Sequence, residues 1–313
     1  MNQDSLSVRP EEAGQRIDKL LASSYPHFSR TYFQNLIEEG FVLLNGGTVK
    51  KRIVLEAGDE LEVCFQLPPE CSLAPEPIPL DILYEDEHLI AVNKPVGMVV
   101  HPAPGHPSGT FVNALLAHCR SLAPNQDPLR PGIVHRLDKE TSGVLLAAKT
   151  SFAHQKLVHA FASRQIEKTY LAICLGRPPN ITLEAPIGRH KIHRKEMAVL
   201  PSDGKEAISQ IQVLAFNDSI SLALVRPKTG RTHQIRVHLK HLGTPILGDA
   251  VYGRRKCNEE NKVARQLLHA YRLQFTHPIT SAPLSLIAPL PDDLKKWIAQ
   301  LGNFHSQILT KTN

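Results

Sequence analysis

Near the N-terminus, Ile17, Leu20 and Leu21 recur at i, i+3 and i+4, the spacing of one face of a short helix. A second helix is predicted through Phe33, Leu36 and Ile37, with Ser29 as its N-cap and Gly40 ending it. Short β-type runs follow at Phe41–Leu44, Arg52–Leu55 and Glu60–Phe65, and Asn45-Gly46-Gly47 marks a turn. Further along, Leu89–Val92, Val144–Ala148, Tyr170–Leu175, Ile208–Leu214 and Ile220–Val225 read as strands, and 153–164 and 232–242 as helices. In the last of these, Ile235, Leu239 and Leu242 fall on the core side. Arg236 and Lys240, four residues apart, share a second face. The pattern mixes helices and strands without a repeat, which predicts an α+β protein.

Five prolines between residues 66 and 80 interrupt the pattern (Pro68, Pro69, Pro75, Pro77, Pro79), and none fits inside a helix or a central strand. They divide the chain into a small unit at 1–66, a linker at 67–80 and a large unit at 81–302, leaving a loose tail at 303–313. Charge follows the same division. Residues 1–66 hold 7 Lys/Arg against 10 Asp/Glu, whereas the whole chain has a net charge of +6. The basic excess therefore lies in the large unit, which points to an anionic partner. The five cysteines are scattered and form no CxxC pair, which argues against a disulfide framework or a cysteine zinc site. There is no apolar leader and no run of about 18 apolar residues, so a cytoplasmic protein without a membrane partner is expected; a monomer is expected as well.

The run Gly132-Ile133-Val134-His135-Arg136-Leu137-Asp138-Lys139-Glu140-Thr141-Ser142-Gly143 sets a polar cluster between apolar segments. A loop held between strands can place a catalytic group rigidly. Neighbouring cations favour an ionised carboxylate, and an ionised Asp138 is either a nucleophile or a base. A structural aspartate in a turn or salt bridge fits these letters equally well. A kinase loop does not: a leucine splits the HRD order, and neither a DFG nor a glycine-rich loop is present. The GxSxG of a serine hydrolase is also absent. His233, His238 and His241 lie close together, but no Cys, Asp or Glu ligand is near them, so no metal is expected. Two basic runs, Gly188–Lys195 and Arg254-Arg255-Lys256, are candidates for phosphate contacts or are simply solvated charge.

Residues 14–66 resemble the S4 RNA-binding domain. The likeness rests on Arg16-Ile17-Asp18-Lys19-Leu20-Leu21, Ser29-Arg30, the stretch from Gly40 to Gly46, and Gly58-Asp59. It implies an RNA clamp using Arg16, Arg30, Lys50 and Lys51.

His135-Arg136-Leu137-Asp138-x-x-Thr141-Ser142-Gly143 resembles the catalytic motif of the ribosomal RNA pseudouridine synthases. Asn93-Lys94-Pro95-x-Gly97, Lys168-x-Tyr170, Thr229-Gly230-Arg231-Thr232-His233-Gln234-Ile235-Arg236, Gly248-Asp249-x-x-Tyr252 and Leu268-His269-Ala270 extend the likeness along the chain. The resemblance implies a catalytic domain with a mixed, mainly antiparallel sheet flanked by helices. It implies an isomerase that flips uridine out of RNA and uses no cofactor. Asp138 would be the carboxylate, Arg236 its ion-pair partner and Tyr170 the residue stacked on the base. Arg136 would fill the gap left by the base. Arg189, Lys191, Arg194, Lys195 and Arg231 would bind RNA. Within the family the likeness is to enzymes of the large-subunit (23S) ribosomal RNA, first to the synthase of helix 69. A sister synthase acting at other 23S sites and a non-catalytic ribosome-assembly factor are the alternatives.

Overall fold

The computed structural model describes residues 2–26, 28, 30–65, 73–103, 105–125, 127, 129–194 and 196–301. The chain forms two compact units, Met1–Cys71 and Ser72–Asn313.

The first unit packs helices α1 (Ile17–Ser24) and α2 (Arg30–Glu38) with strands β1 (Asn2–Ser7), β2 (Val42–Leu44), β3 (Gly47–Thr48) and β4 (Glu60–Phe65). The sheet order is β1-β4-β2-β3, antiparallel throughout. Ile17, Leu20, Leu21, Phe33, Leu36 and Ile37, the residues at helical spacing, all lie in its core. Ser29, expected to cap α2, falls outside the described residues.

Two expectations change. Strand β1 is not legible in the polar run NQDSLS, and it forms because β4 offers it a full antiparallel register. Arg52–Leu55 is not a strand. Only Val54 makes an isolated bridge, to Arg16. Its neighbours pair with the turn before α1: Gly14 N–H donates to Leu55 O, Leu55 N–H to Gln15 O and Ile17 N–H to Ile53 O. Of the apolar residues here only Leu55 turns inward, while Val54 is 55% exposed.

In the second unit, strands β5 (Ile82–Glu85), β6 (Leu89–Lys94), β7 (Ser142–Ala148), β8 (Glu167–Leu175), β9 (Ile181–Glu184), β12 (Ile208–Phe216), β13 (Ile220–Pro227), β14 (Leu268–Thr276) and β15 (Pro283–Ile287) make one sheet. The order is β5-β6-β7-β14-β8-β13-β12-β9, with β15 also on β14. Among the described strands, only β7 and β14 pair in parallel, through His269 opposite Ser142 and Ala270 opposite Gly143. The sheet is thus mixed and mainly antiparallel. Strands β10 (Ile187–Arg189) and β11 (Met197–Val199) form a separate hairpin. The basic run from Gly188 therefore starts on a strand.

Both faces of the sheet are covered, as successive residues of β6 show. Leu89 and Ala91 pack with Ala153 and Leu157 of α4 (Ser151–Ala162), whereas Ile90 and Val92 pack with Phe111, Val112 and Leu115 of α3 (Phe111–His118). The helix expected at 153–164 is this α4, begun two residues earlier by Thr150, whose hydroxyl accepts from Ala153 N–H. The helix expected at 232–242 is α5 (Gln234–His241). Helices α6 (Arg255–Glu260) and α7 (Asp292–Ala299) complete the unit.

The proline-rich stretch is only partly a connection. Leu73, Ile78 and Leu80 pack against the α3 side of the core, and Glu76 N–H donates to Asn113 O at 3.0 Å. Prolines exclude a ladder but leave the apolar side chains between them free to pack, so residues 73–80 belong to the second unit.

Candidate active site

Asp138 sits in the loop that leads into β7. Several bonds fix this loop. Ala148 N–H donates to Gly132 O at 2.8 Å and Leu146 N–H to His135 Nε2 at 2.9 Å, while the His135 ring stacks on Phe161 at 4.7 Å. Burial, with some help from Lys168, lowers His135 to about 3, so the ring stays neutral and its Nε2 remains an acceptor. Lys94 supports the loop from below. Its ammonium is fully buried and gives its three donors to the carbonyls of Pro95, Met98 and Lys139. Burial brings Lys94 down to about 8, against the charges of Glu140 and Asp138. Beyond the loop, Gly143 has φ +114° and a Cβ there would stand 2.2 Å from Ala270 O. Only glycine permits the β7–β14 approach that carries the loop across the sheet.

Arg236, on α5, reaches the loop. Its Nη1 donates to Asp138 Oδ2 at 2.8 Å. The other edge of the guanidinium grips Asp249, Nε to Oδ2 at 2.7 Å and Nη2 to Oδ1 at 3.0 Å. Asp249 is buried and its Oδ1 also accepts from Val251 N–H and Tyr252 N–H. Burial opposes the charge of Arg236, but hydrogen bonds and charge from Asp249 and Asp138 outweigh it and raise its pKa above the ordinary value. The arginine is held charged between two carboxylates, one structural and one facing a cavity.

That cavity, about 430 Å³, is lined by Asp138, Tyr170, Arg136, Arg231, Lys168 and His233 among others. Among the described residues lining it, Asp138 is the one carboxylate, whereas Arg136, Arg164, Lys168, Lys228, Arg231 and Arg236 are cations. Lys168 and Tyr170 are two apart on β8 and share its face. Burial lowers Lys168 to about 8, and Arg164 and Lys228 push the same way. Burial, then the Asp138 charge, raises the Tyr170 hydroxyl and keeps it protonated. The site can therefore hold an anionic ligand with a flat, partly apolar group beside a charged carboxylate.

The other expected residues lie elsewhere. Arg16 and Arg30 converge on Asp18, a fully buried carboxylate of α1, at 2.9 Å each. Burial alone would raise Asp18, yet hydrogen bonds from Arg30, Gln34 and Arg16 bring it down to about 2. Both guanidiniums thus have an internal partner as well as an exposed edge. Lys51 pairs with Glu38, and Lys50 is exposed on the same turn. Arg189, Lys191 and Arg194 stand on the β10–β11 hairpin outside the cavity lining, with Lys191 3.4 Å from Asp203. Lys195 lies outside the described residues. Arg255 and Lys256 pair with Glu259 and Glu260 along α6, as solvated helix pairs do. His238 is not available to a metal, because Ser209 Oγ and Ala185 O occupy both ring nitrogens at 3.0 Å.

Asp249, Lys94, His233 and Tyr252 have no role assigned from the sequence. The available signal is electrostatic: an arginine with five donors, buried behind a single half-buried carboxylate, calls for a second one. Asp249 follows Gly248 in one of the motif runs. Gly248 (φ +82°) is needed there because a Cβ would meet Arg265 O at 1.9 Å.

A cationic cavity around one ion-paired carboxylate defines an enzyme site for an anionic substrate. The comparisons with known proteins name the class. The RNA pseudouridylate synthase family profile matches residues 88–241, and the S4 domain profile matches residues 15–61. An uncharacterized RNA pseudouridine synthase of Bacillus subtilis (strain 168) is 43% identical over 303 residues, covering 96% of this chain and 99% of its own. The ribosomal large subunit pseudouridine synthase D of Xanthomonas campestris is 41% identical over 305 residues, covering 94% and 91%. Among solved structures, human RNA pseudouridylate synthase domain containing 4 matches with a TM-score of 0.54 at 27% identity, over 70% of this chain and 92% of its own. The chain belongs to the RNA pseudouridine synthase family, isomerases that act on RNA, and carries an S4 domain.

Proposed function

We propose that the chain converts uridines of 23S ribosomal RNA, in helix 69 first, to pseudouridine, with Asp138, Arg236 and Tyr170 as its catalytic residues. The reaction breaks the N1–C1′ bond, turns the uracil and forms a C5–C1′ bond; N1 gains a proton and C5 loses one. Nothing is hydrolysed and no cofactor is consumed. The enzyme must expose a stacked base, hold it against an aromatic face and keep a carboxylate charged beside it. The observation that carries this reading is the 2.8 Å Arg236–Asp138 ion pair at the wall of a cavity that Tyr170 also lines. An ionised Asp138 serves attack on uracil, attack on C1′ or removal of a ribose proton alike. A non-catalytic assembly factor would have no use for a half-buried charged pair aimed into a cavity. The ribosomal substrate follows the names of relatives such as the Xanthomonas synthase. The protein acts in the cytoplasm as a monomer. Mapping pseudouridines in ribosomal RNA from cells with and without the gene tests the substrate. Loss at helix 69 supports the reading, loss elsewhere in 23S RNA favours a sister synthase, and no loss favours the binder.

Tyr170→Phe keeps the ring and removes the hydroxyl. The hydroxyl can give the bound nucleotide one hydrogen bond, so a single-turnover rate slower by about 5-fold is expected with RNA affinity unchanged. Equal rates for variant and wild type would reduce the hydroxyl to a packing role.

Arg136 fills the space of the flipped base. The S4 residues Arg16, Arg30, Lys50 and Lys51, together with Arg231, bind phosphates, as do Arg189, Lys191, Arg194 and Lys195 of the hairpin segment. Changing these last four to Ser should flatten the salt dependence of RNA binding. The log–log slope should fall by roughly 0.7–0.9 for each phosphate that is no longer neutralised. An unchanged slope would mark the run as solvated charge.

A further inference from the structure

The oxygen of Asp138 that Arg236 leaves free faces His233. Arg236 holds Oδ2, and His233 Nε2 stands 3.9 Å from Oδ1. The other ring nitrogen, Nδ1, is 2.8 Å from the Tyr252 hydroxyl. That hydroxyl accepts from Met197 N–H at 2.8 Å, so its own single proton is free for Nδ1. With that proton turned to Nδ1, Nδ1 is an acceptor and a neutral imidazole carries its own proton on Nε2, toward Asp138. Burial favours the neutral ring, more strongly than the Asp138 charge opposes it. Tyr252 is itself fixed: its ring is buried and lies under the Arg236 guanidinium at 4.9 Å.

His233 also adopts a backbone that a non-glycine residue usually avoids, φ 55° and ψ 20°, immediately before α5. Such conformations persist where the surroundings impose them, and they gather at functional sites. Here the left-handed turn sets the imidazole between Tyr252 and Asp138.

We propose that His233 is a positioning residue, which as its Nε2–H tautomer orients the second oxygen of Asp138, with the Tyr252 hydroxyl selecting that tautomer. A carboxylate held through one oxygen still turns about its Cβ–Cγ bond. A donor on the other oxygen fixes the plane, and with it the lone pair offered to the nucleotide. The separation is longer than a hydrogen bond, as catalytic pairs often are before substrate binds, and it shortens in the complex. The proposal rests on Asp138 being the reacting carboxylate.

Two measurements on the full chain test it. In 15N-imidazole-labelled protein at neutral pH, NMR should report His233 as the neutral Nε2–H form, and Tyr252→Phe should shift it toward a mixture of tautomers. An Nδ1–H form in the wild type overturns the proposal. In single-turnover tritium release from a 23S RNA transcript carrying [5-3H]uridine, His233→Phe should slow the reaction by about 10- to 100-fold and Tyr252→Phe by about 5-fold. RNA affinity and melting temperature should hold. His233→Gln, which keeps an N–H near the Nε2 position, should recover most of the rate. The double variant His233→Phe/Tyr252→Phe should be no slower than His233→Phe. Multiplying losses, a Gln variant as slow as Phe, or a loss confined to RNA affinity overturns it. A wild type that releases no tritium counts instead against the proposed substrate, and the tautomer measurement then decides His233 alone.

Discussion

Asp138→Asn should lower pseudouridine formation by more than about 10³-fold, as loss of a reacting carboxylate does, while RNA affinity stays within about 3-fold of wild type. Asparagine has the same shape, so the effect isolates charge. Its carbonyl can still accept from Arg236 Nη1. The backbone oxygen of residue 138 still receives Thr141 N–H, which keeps the turn into β7. Arg236 also keeps its two bonds to Asp249, so the guanidinium is not stranded. The fold should therefore survive and the RNA-binding surface should be untouched. Assays for conversion and for binding on the same preparation separate the two effects. Full residual activity would remove Asp138 from the chemistry.

Arg236→Ala is expected to cost both activity and stability. Asp249 is fully buried and its charge is balanced by Arg236. Removing one partner of a buried pair costs about 3–5 kcal/mol, because the other charge is left without compensation. Two backbone donors remain on Asp249 Oδ1, from Val251 and Tyr252, and these place the expected loss toward the lower end of that range. A second change, Asp249→Asn, removes the stranded charge and should return part of the stability. Activity should not return, since Asp138 still lacks its cation. Denaturant unfolding of the single and double variants, run beside the activity assay, reads both quantities. If the double variant is no more stable than Arg236→Ala, Asp249 is not the source of the loss.

Local chemistry decides how much of this is legible in the sequence. Elements with strong periodicity, such as α1 with Ile17, Leu20 and Leu21, can be read because their burial face is written in the spacing. Strand β1 cannot, since a polar edge strand draws its order from β4 and not from its own side chains. The run Arg52–Leu55 misleads because β-branched residues stand where the chain pairs with a turn. At the site, Asp138 and Arg236 are named from motifs 98 residues apart, and they stand 2.8 Å apart. Their supporting groups are not readable. Asp249, Tyr252 and His233 act through distances that only folding sets, and the left-handed backbone of His233 has no sequence signature. Arg16 and Arg30 show the opposite case. The S4 resemblance picks them as RNA-binding residues, yet each is bonded to buried Asp18.

The most direct measurement is pseudouridine mapping of ribosomal RNA from a strain lacking the gene, complemented with wild type or with Asp138→Asn. Wild type should restore a pseudouridine in 23S RNA, at helix 69, and Asp138→Asn at equal protein level should leave the uridine unmodified. Restoration by Asp138→Asn, or a pattern in 23S RNA that neither gene changes, would contradict the account.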